Sequence, residues 1–148
     1  MKTKVVLGIA LAGTLALPAY MSEPVQSRIA YAQMPEPVDR NVSWAADVKP
    51  ILDRACMDCH AGAARKGGFQ YDTPDRFASG GGSGPVASAG NSRESLLVKS
   101  LVHFPGVEAM PRGDSPEIVT HEEIGVIRAW IDQGMKFDEP DAAVPTAE

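Results

Sequence analysis

The sequence predicts an all-α domain, on three observations. Apolar residues recur at helical spacing in three separate segments. A glycine-rich stretch from Ala61 to Gly90 separates the first segment from the second. No βαβ pattern is present. The chain has 148 residues, enough for one domain with an export signal and a short tail.

The N-terminus reads as that signal. Lys2 and Lys4 precede an uncharged apolar run from Val5 to Leu17, shorter than the about 20 residues that span a bilayer but suited to a signal-peptide core. Ala30-Tyr31-Ala32 offers a small-residue cleavage site, which makes 1–32 the signal peptide and Gln33 the start of the mature chain. The stretch from Pro18 to that cut is long for a signal. The competing reading is an uncleaved membrane anchor, which the short apolar run disfavours. Residues 33–42, polar and proline-containing, are expected to form a flexible lead-in. The domain proper occupies 43–137, and 138–148 forms a disordered acidic tail with Pro140 and Pro145.

The first helix is predicted from about Trp44 to Arg54, with Ser43 as its N-cap. Trp44, Val48, Ile51, Leu52 and Ala55 form one apolar stripe, and Pro50 should bend the helix or loosen one turn. The second runs from about Arg93 to Val102, capped by Asn91 or Ser92, with Leu97 and Leu101 one turn apart. The third opens on Thr120-His121-Glu122-Glu123, a capping box, and presents Ile124, Ile127, Trp130 and Ile131 before Gly134 ends it. Between the first two, residues 61–90 read as loop apart from a short helical turn near Pro74 to Phe77. The glycines of that loop do not make a phosphate-binding loop, since no Lys-Ser/Thr pair follows them and no strand precedes them. A loop of this length in a compact domain needs something to order it, and a large buried cofactor would do so.

Cys56-Met57-Asp58-Cys59-His60 names that cofactor: it is the attachment signature of a c-type haem. Each thiol adds across one haem vinyl group, and two intervening residues let both sulfurs reach neighbouring vinyls. The histidine that follows is delivered to the iron from the same side. A zinc site would want a second Cys or His pair, and a redox-active Cys-x-x-Cys normally accompanies a βαβ unit. A disulfide across so short a loop would contribute little and would leave His60 unexplained.

The second axial ligand has more candidates. Met57 lies inside the attachment loop and Met34 in the lead-in, so both are badly placed. His121 reads as a solvated first-turn residue, and Met135 as core filler or surface. Met110 precedes Pro111, which restricts it to extended geometry in a loop between the second and third helices. Met110 is the first choice and His103 the second.

An ordered set of motifs accompanies the attachment signature. Val48-Lys49-Pro50-Ile51-Leu52 leads into it, and Lys66-Gly67-Gly68-Phe69-Gln70-Tyr71-Asp72 and Gly81-Gly82-Ser83-Gly84-Pro85 follow. Asn91-Ser92-Arg93-Glu94-Ser95-Leu96-Leu97, Met110-Pro111 and Trp130-Ile131-Asp132-Gln133-Gly134 complete the series. Over Val48 to Phe137 this set resembles the class I cytochrome c fold, and more closely the planctomycete-type cytochrome c domain family. The resemblance implies a small class I cytochrome c-like fold, three main helices with the glycine-rich loop wrapped around one covalent haem. It implies that the first and last helices cross near Trp44 and Trp130, and that Met110 is the axial partner of His60. It also implies that the Pro85 carbonyl accepts the His60 ring proton, although Pro85 lies further from His60 than in small mitochondrial-type cytochromes.

With Cys56 and Cys59 as thioether links and His60 and Met110 on the iron, no position is left for substrate. The expected function is a periplasmic mono-haem electron carrier, not an enzyme, cycling between Fe(II) and Fe(III). A haem subunit of a dehydrogenase complex is the alternative, and a five-coordinate haem sensor a more remote one. The formal charge of −5, more negative once the signal is removed, excludes nucleic acid and anionic lipid as partners. It favours redox proteins with basic docking surfaces, and the mature chain is expected to have no membrane span.

Overall fold

The computed structural model describes residues 25–113 and 115–138. The signal core from Val5 to Leu17 and the tail from residue 139 lie outside the described residues. Among the described residues five α-helices follow in order: α1 Val25–Ala32, α2 Lys49–His60, α3 Pro74–Ser79, α4 Leu96–Leu101 and α5 His121–Asp132. Among the described residues there is no strand, only an isolated bridge between Gly81 and Gly84.

The first predicted helix is present but built in two parts. A wide π-type turn, Trp44–Val48, runs directly into α2. Ser43 caps it as expected, its hydroxyl accepting from the Ala46 amide at 3.1 Å. The amides of Val48 and Lys49 reach back five residues, to the carbonyls of Ser43 and Trp44. Pro50 explains the widening, since it has no amide to donate and its ring crowds the preceding turn. Sequence periodicity placed the helix end at Arg54; α2 continues to His60 and carries the whole attachment motif.

The second predicted helix is shorter than expected. Residues 91–95 are spent on capping turns: the Glu94 amide bonds to the Asn91 side chain, the Ser95 amide to the Ser92 carbonyl, and the Ser95 hydroxyl to the Val86 carbonyl. Helix α4 therefore starts at Leu96. Helix α5 has its capping box, with the Thr120 hydroxyl accepting from the Glu123 amide at 3.2 Å and Glu123 accepting from the Thr120 amide at 2.8 Å. It ends before Gly134, whose φ of +101° suits glycine.

The core gathers the predicted stripes. Val48, Leu52, Val98, Ile124, Ile127, Trp130 and Ile131 are buried, joined by Tyr71 and by Phe77 from α3. Trp44 and Trp130 stack at 5.0 Å between ring centroids, with Phe77 and Phe137 edge-on to both. Each such aromatic pair adds about 0.5–1.5 kcal/mol beyond the area it buries.

The lead-in differs from expectation: Met34 is 4% exposed and belongs to the core cluster. Residues 35–38 lie against α5, where the Val38 amide donates to the Gly125 carbonyl at 3.2 Å and the Arg128 guanidinium bonds the Pro35 carbonyl. The physical reason is Gly125. A side chain there would meet the Glu36 carbonyl, so the glycine opens a groove on α5 that admits the chain.

Candidate functional site

Helix α2 presents the attachment residues. Cys56, Cys59 and His60 fall at i, i+3 and i+4, so one helix face offers both thiols and the imidazole. The segment Phe69-Gln70-Tyr71 then braces that helix. The Tyr71 amide donates to the His60 carbonyl at 3.2 Å, ending α2, while the buried Tyr71 hydroxyl lies 3.1 Å from both the Leu52 carbonyl and an Asp53 carboxylate oxygen. Tyr71 thus holds α2 near both its first and its last turn. Its phenol is pushed far up by burial and by the adjacent Asp53, and remains a hydrogen-bond donor.

The same brace sets the imidazole. His60 Nδ1 faces the Phe69 carbonyl at 3.3 Å. That contact corrects the expectation for Pro85: the carbonyl facing the ring belongs to Phe69. The chain turns back at Gly67 and Gly68, both at positive φ, and so brings Phe69 beside the ring well before it reaches Pro85. A ring that donates from Nδ1 keeps Nε2 free as a ligand.

Cys56, Cys59, His60 and Met110 line one cavity of about 540 Å³, within the range of small-molecule and cofactor sites. Leu52, Val86, Leu97, Leu101 and Val107 supply much of its apolar wall. Glycines make another part of the wall. Gly80, at φ +67°, has no room for a side chain against the Gly84 carbonyl, and the Gly82 amide donates to the Gly67 carbonyl at 2.7 Å. The glycine-rich part of the loop is therefore a pair of tight turns on either side of α3 that line the cavity through Gly67, Gly81 and Gly84.

Met110 reaches the cavity from the segment after α4. Its amide donates to the Ser100 carbonyl at 3.0 Å, and the Met110–Pro111 peptide is cis. The competing ligands lie elsewhere. His103, at φ +53° just past α4, is exposed, as is His121; Met57 is 45% exposed, and Met34 and Met135 pack with the core cluster. Arg54 closes one rim of the cavity, bonded to Glu117, the Ile118 carbonyl and Glu123. No local pattern signals that three-way tie between α2 and the segment entering α5, because its partners are more than sixty residues away.

Both thiols are free, and burial, with Cys59 nearby, pushes the Cys56 thiol up to about 11. A thiol held protonated carries both the sulfur and the hydrogen that addition across a vinyl double bond consumes. Two thiols, an imidazole and a thioether around one apolar cavity form a donor set that fits a covalent haem.

Comparison with known proteins agrees. Residues 56–114 match the family model for Planctomycete cytochrome C. This is the family that the ordered motifs resemble, and a cytochrome c domain implies covalently bound haem c and a haem-based electron-transfer role. The matched segment begins at Cys56 and takes in His60, the glycine loop and Met110. Among solved structures, hydrazine synthase of Kuenenia stuttgartiensis is similar at 24% identity and a TM-score of 0.44, covering 67% of this chain and 16% of that one. The chain thus spans about a sixth of that protein's chain. No curated protein matches it. No helix among the described residues is long and apolar enough to cross a membrane.

Proposed function

We propose that this chain is an exported mono-haem c-type cytochrome that carries single electrons between protein partners in the periplasm. The observation that carries the reading is the single cavity shared by Cys56, Cys59, His60 and Met110. When bound, the haem supplies a one-electron iron couple. The protein's own residues do the rest. Cys56 and Cys59 would anchor it, and His60, oriented by the Phe69 carbonyl, would offer Nε2 to the iron. Met110, tethered to Ser100, would offer a thioether, which favours the reduced state. The aliphatic walls exclude water and act in the same direction. With His60 and Met110 both on the iron no place would remain for a substrate, which supports electron carriage over catalysis. The acidic chain suits partners with basic docking surfaces, since opposite charge speeds encounter.

Expression with a c-type maturation system tests this directly. The expected product keeps its haem through acid–acetone extraction and shows a c-type α-band when reduced. Haem that extracts freely from the intact sequence would refute covalent attachment at Cys56 and Cys59.

A further inference from the structure

Tyr31, which the sequence assigns to the discarded signal, is docked on the domain. Its ring lies 4.7 Å from that of Phe104, its hydroxyl donates to Glu94 at 2.9 Å, and the Arg93 guanidinium sits 4.3 Å above it. Lys99 completes the cluster, bonded to Glu94 at 2.6 Å and facing the rings of both Tyr31 and Phe104. Phe104 is only 7% exposed, with Tyr31 packed against it. Three residues on, Met34 enters the core.

A cut after Ala32 would discard Tyr31 while keeping Met34. It would strip the cover from Phe104 and remove the ring that Arg93 and Lys99 face. It would also place a new α-ammonium on Gln33, directly beside the buried Met34. The sequence independently disfavours that cut. The apolar core ends at Leu17, and signal cleavage falls at a small residue soon after such a core. Ala19 lies at that distance, with Leu17 rather than a small residue two places before it, whereas Ala30-Tyr31-Ala32 carries both small residues but lies far downstream, inside α1.

We infer that export processing cuts the chain upstream of Tyr31, after Ala19, and that residues from Tyr31 to Val38 are a permanent strap of the mature domain. The inference rests on the export reading proposed above. The strap fastens to two neighbouring elements: Tyr31 to the α4 side, where Ser100 holds Met110, and residues 35–38 to α5 through Gly125 and Arg128.

The test is the intact mass and N-terminal sequence of the full chain expressed with a c-type maturation system and recovered from the periplasm. The expected mature chain starts at Tyr20. A chain starting at Gln33 overturns the inference, and a chain that retains Met1 overturns cleavage itself. The haem band of the same sample reports separately on the proposed function. A second measurement compares thermal unfolding of the chain from Tyr20, its Tyr31→Ala and Tyr31→Phe variants, and a chain begun at Gln33. The strap requires Tyr31→Ala and the shortened chain to melt about 4–8 °C lower, with Tyr31→Phe close to the parent. Equal melting of the long and short chains would overturn the structural role.

Discussion

The Met110 amide donates to the Ser100 carbonyl at 3.0 Å, tying the thioether segment to the last turn of α4. Ser100 is itself buried, and its hydroxyl bonds the Leu97 carbonyl at 2.8 Å. The proposed axial ligand therefore hangs from a helix whose other residues, Leu97 and Leu101, line the same cavity. An otherwise irregular segment acquires a fixed reach into the site.

Removing that ligand should open the coordination sphere. Met110→Ala should abolish the weak near-infrared sulfur-to-iron band of the oxidised protein. It should let the reduced protein bind carbon monoxide at neutral pH, which the parent resists. The potential should fall by a sizeable part of the ~0.8 V range that axial ligands span. A persistent near-infrared band in the variant would move the ligand elsewhere; carbon monoxide binding by the parent would favour a five-coordinate sensor.

Trp130 is the centre of the aromatic cluster. It is 1% exposed, contacts Trp44, Phe77 and Phe137, and its indole N–H donates to the Lys136 carbonyl at 2.9 Å. Trp130→Ala should therefore cost about 3–5 kcal/mol, read as a lowered denaturant midpoint. Because Trp130 does not line the cavity, the folded variant should keep its visible spectrum.

What could be read from the sequence follows from which signals are local. Helix α5 was legible from Thr120 to Gly134 because its cap, stripe and terminator are sequence-adjacent. The candidate attachment residues stand out because their spacing is the chemistry the motif requires. The end of α2 was not, since the motif's own residues carry no apolar stripe and its stop is the Tyr71 amide, eleven residues beyond His60. The partner of His60 was not legible either. It is a backbone carbonyl, which any residue can supply, and only the path of the loop selects Phe69 over Pro85. The strap escaped notice because its signal sits in another element, at Gly125.

Acid should weaken the fold through specific carboxylates. The Arg40 side chain, hydrogen-bonded to Asp47, holds that carboxyl below its ordinary range despite partial burial, and Lys99 does the same for Glu94. A carboxyl depressed in the folded state contributes stability that is complete above its unfolded value, about 4, and is lost as pH falls through the lower folded value. Unfolding free energy should thus be flat from neutral pH to about 5 and decline below 4. Both groups are partly exposed, so added salt should shrink the effect. Denaturant midpoints across that range, for the parent and an Asp47→Asn/Glu94→Gln variant, check it. The variant should show a shallower decline, and an unchanged slope would assign acid sensitivity to other groups.

Gly125→Ala separates helix propensity from packing. In the interior of an exposed helix, alanine is better than glycine by about 0.8–1 kcal/mol. Gly125 is buried in α5, and a Cβ there would lie 2.6 Å from the Glu36 carbonyl oxygen, closer than non-bonded atoms approach. That oxygen is backbone, on a segment pinned by the Val38 amide to the Gly125 carbonyl and by Arg128 to the Pro35 carbonyl. Relief therefore requires residues 35–38 to lift off α5. The net effect should be destabilising by about 1–3 kcal/mol, the usual cost of overpacking. Amide exchange should localise it, with the Val38 amide losing protection while those of the first turn after Thr120 keep theirs. A Gly125→Ala variant as stable as the parent would mean that the strap yields at no cost, and that glycine stands there for another reason.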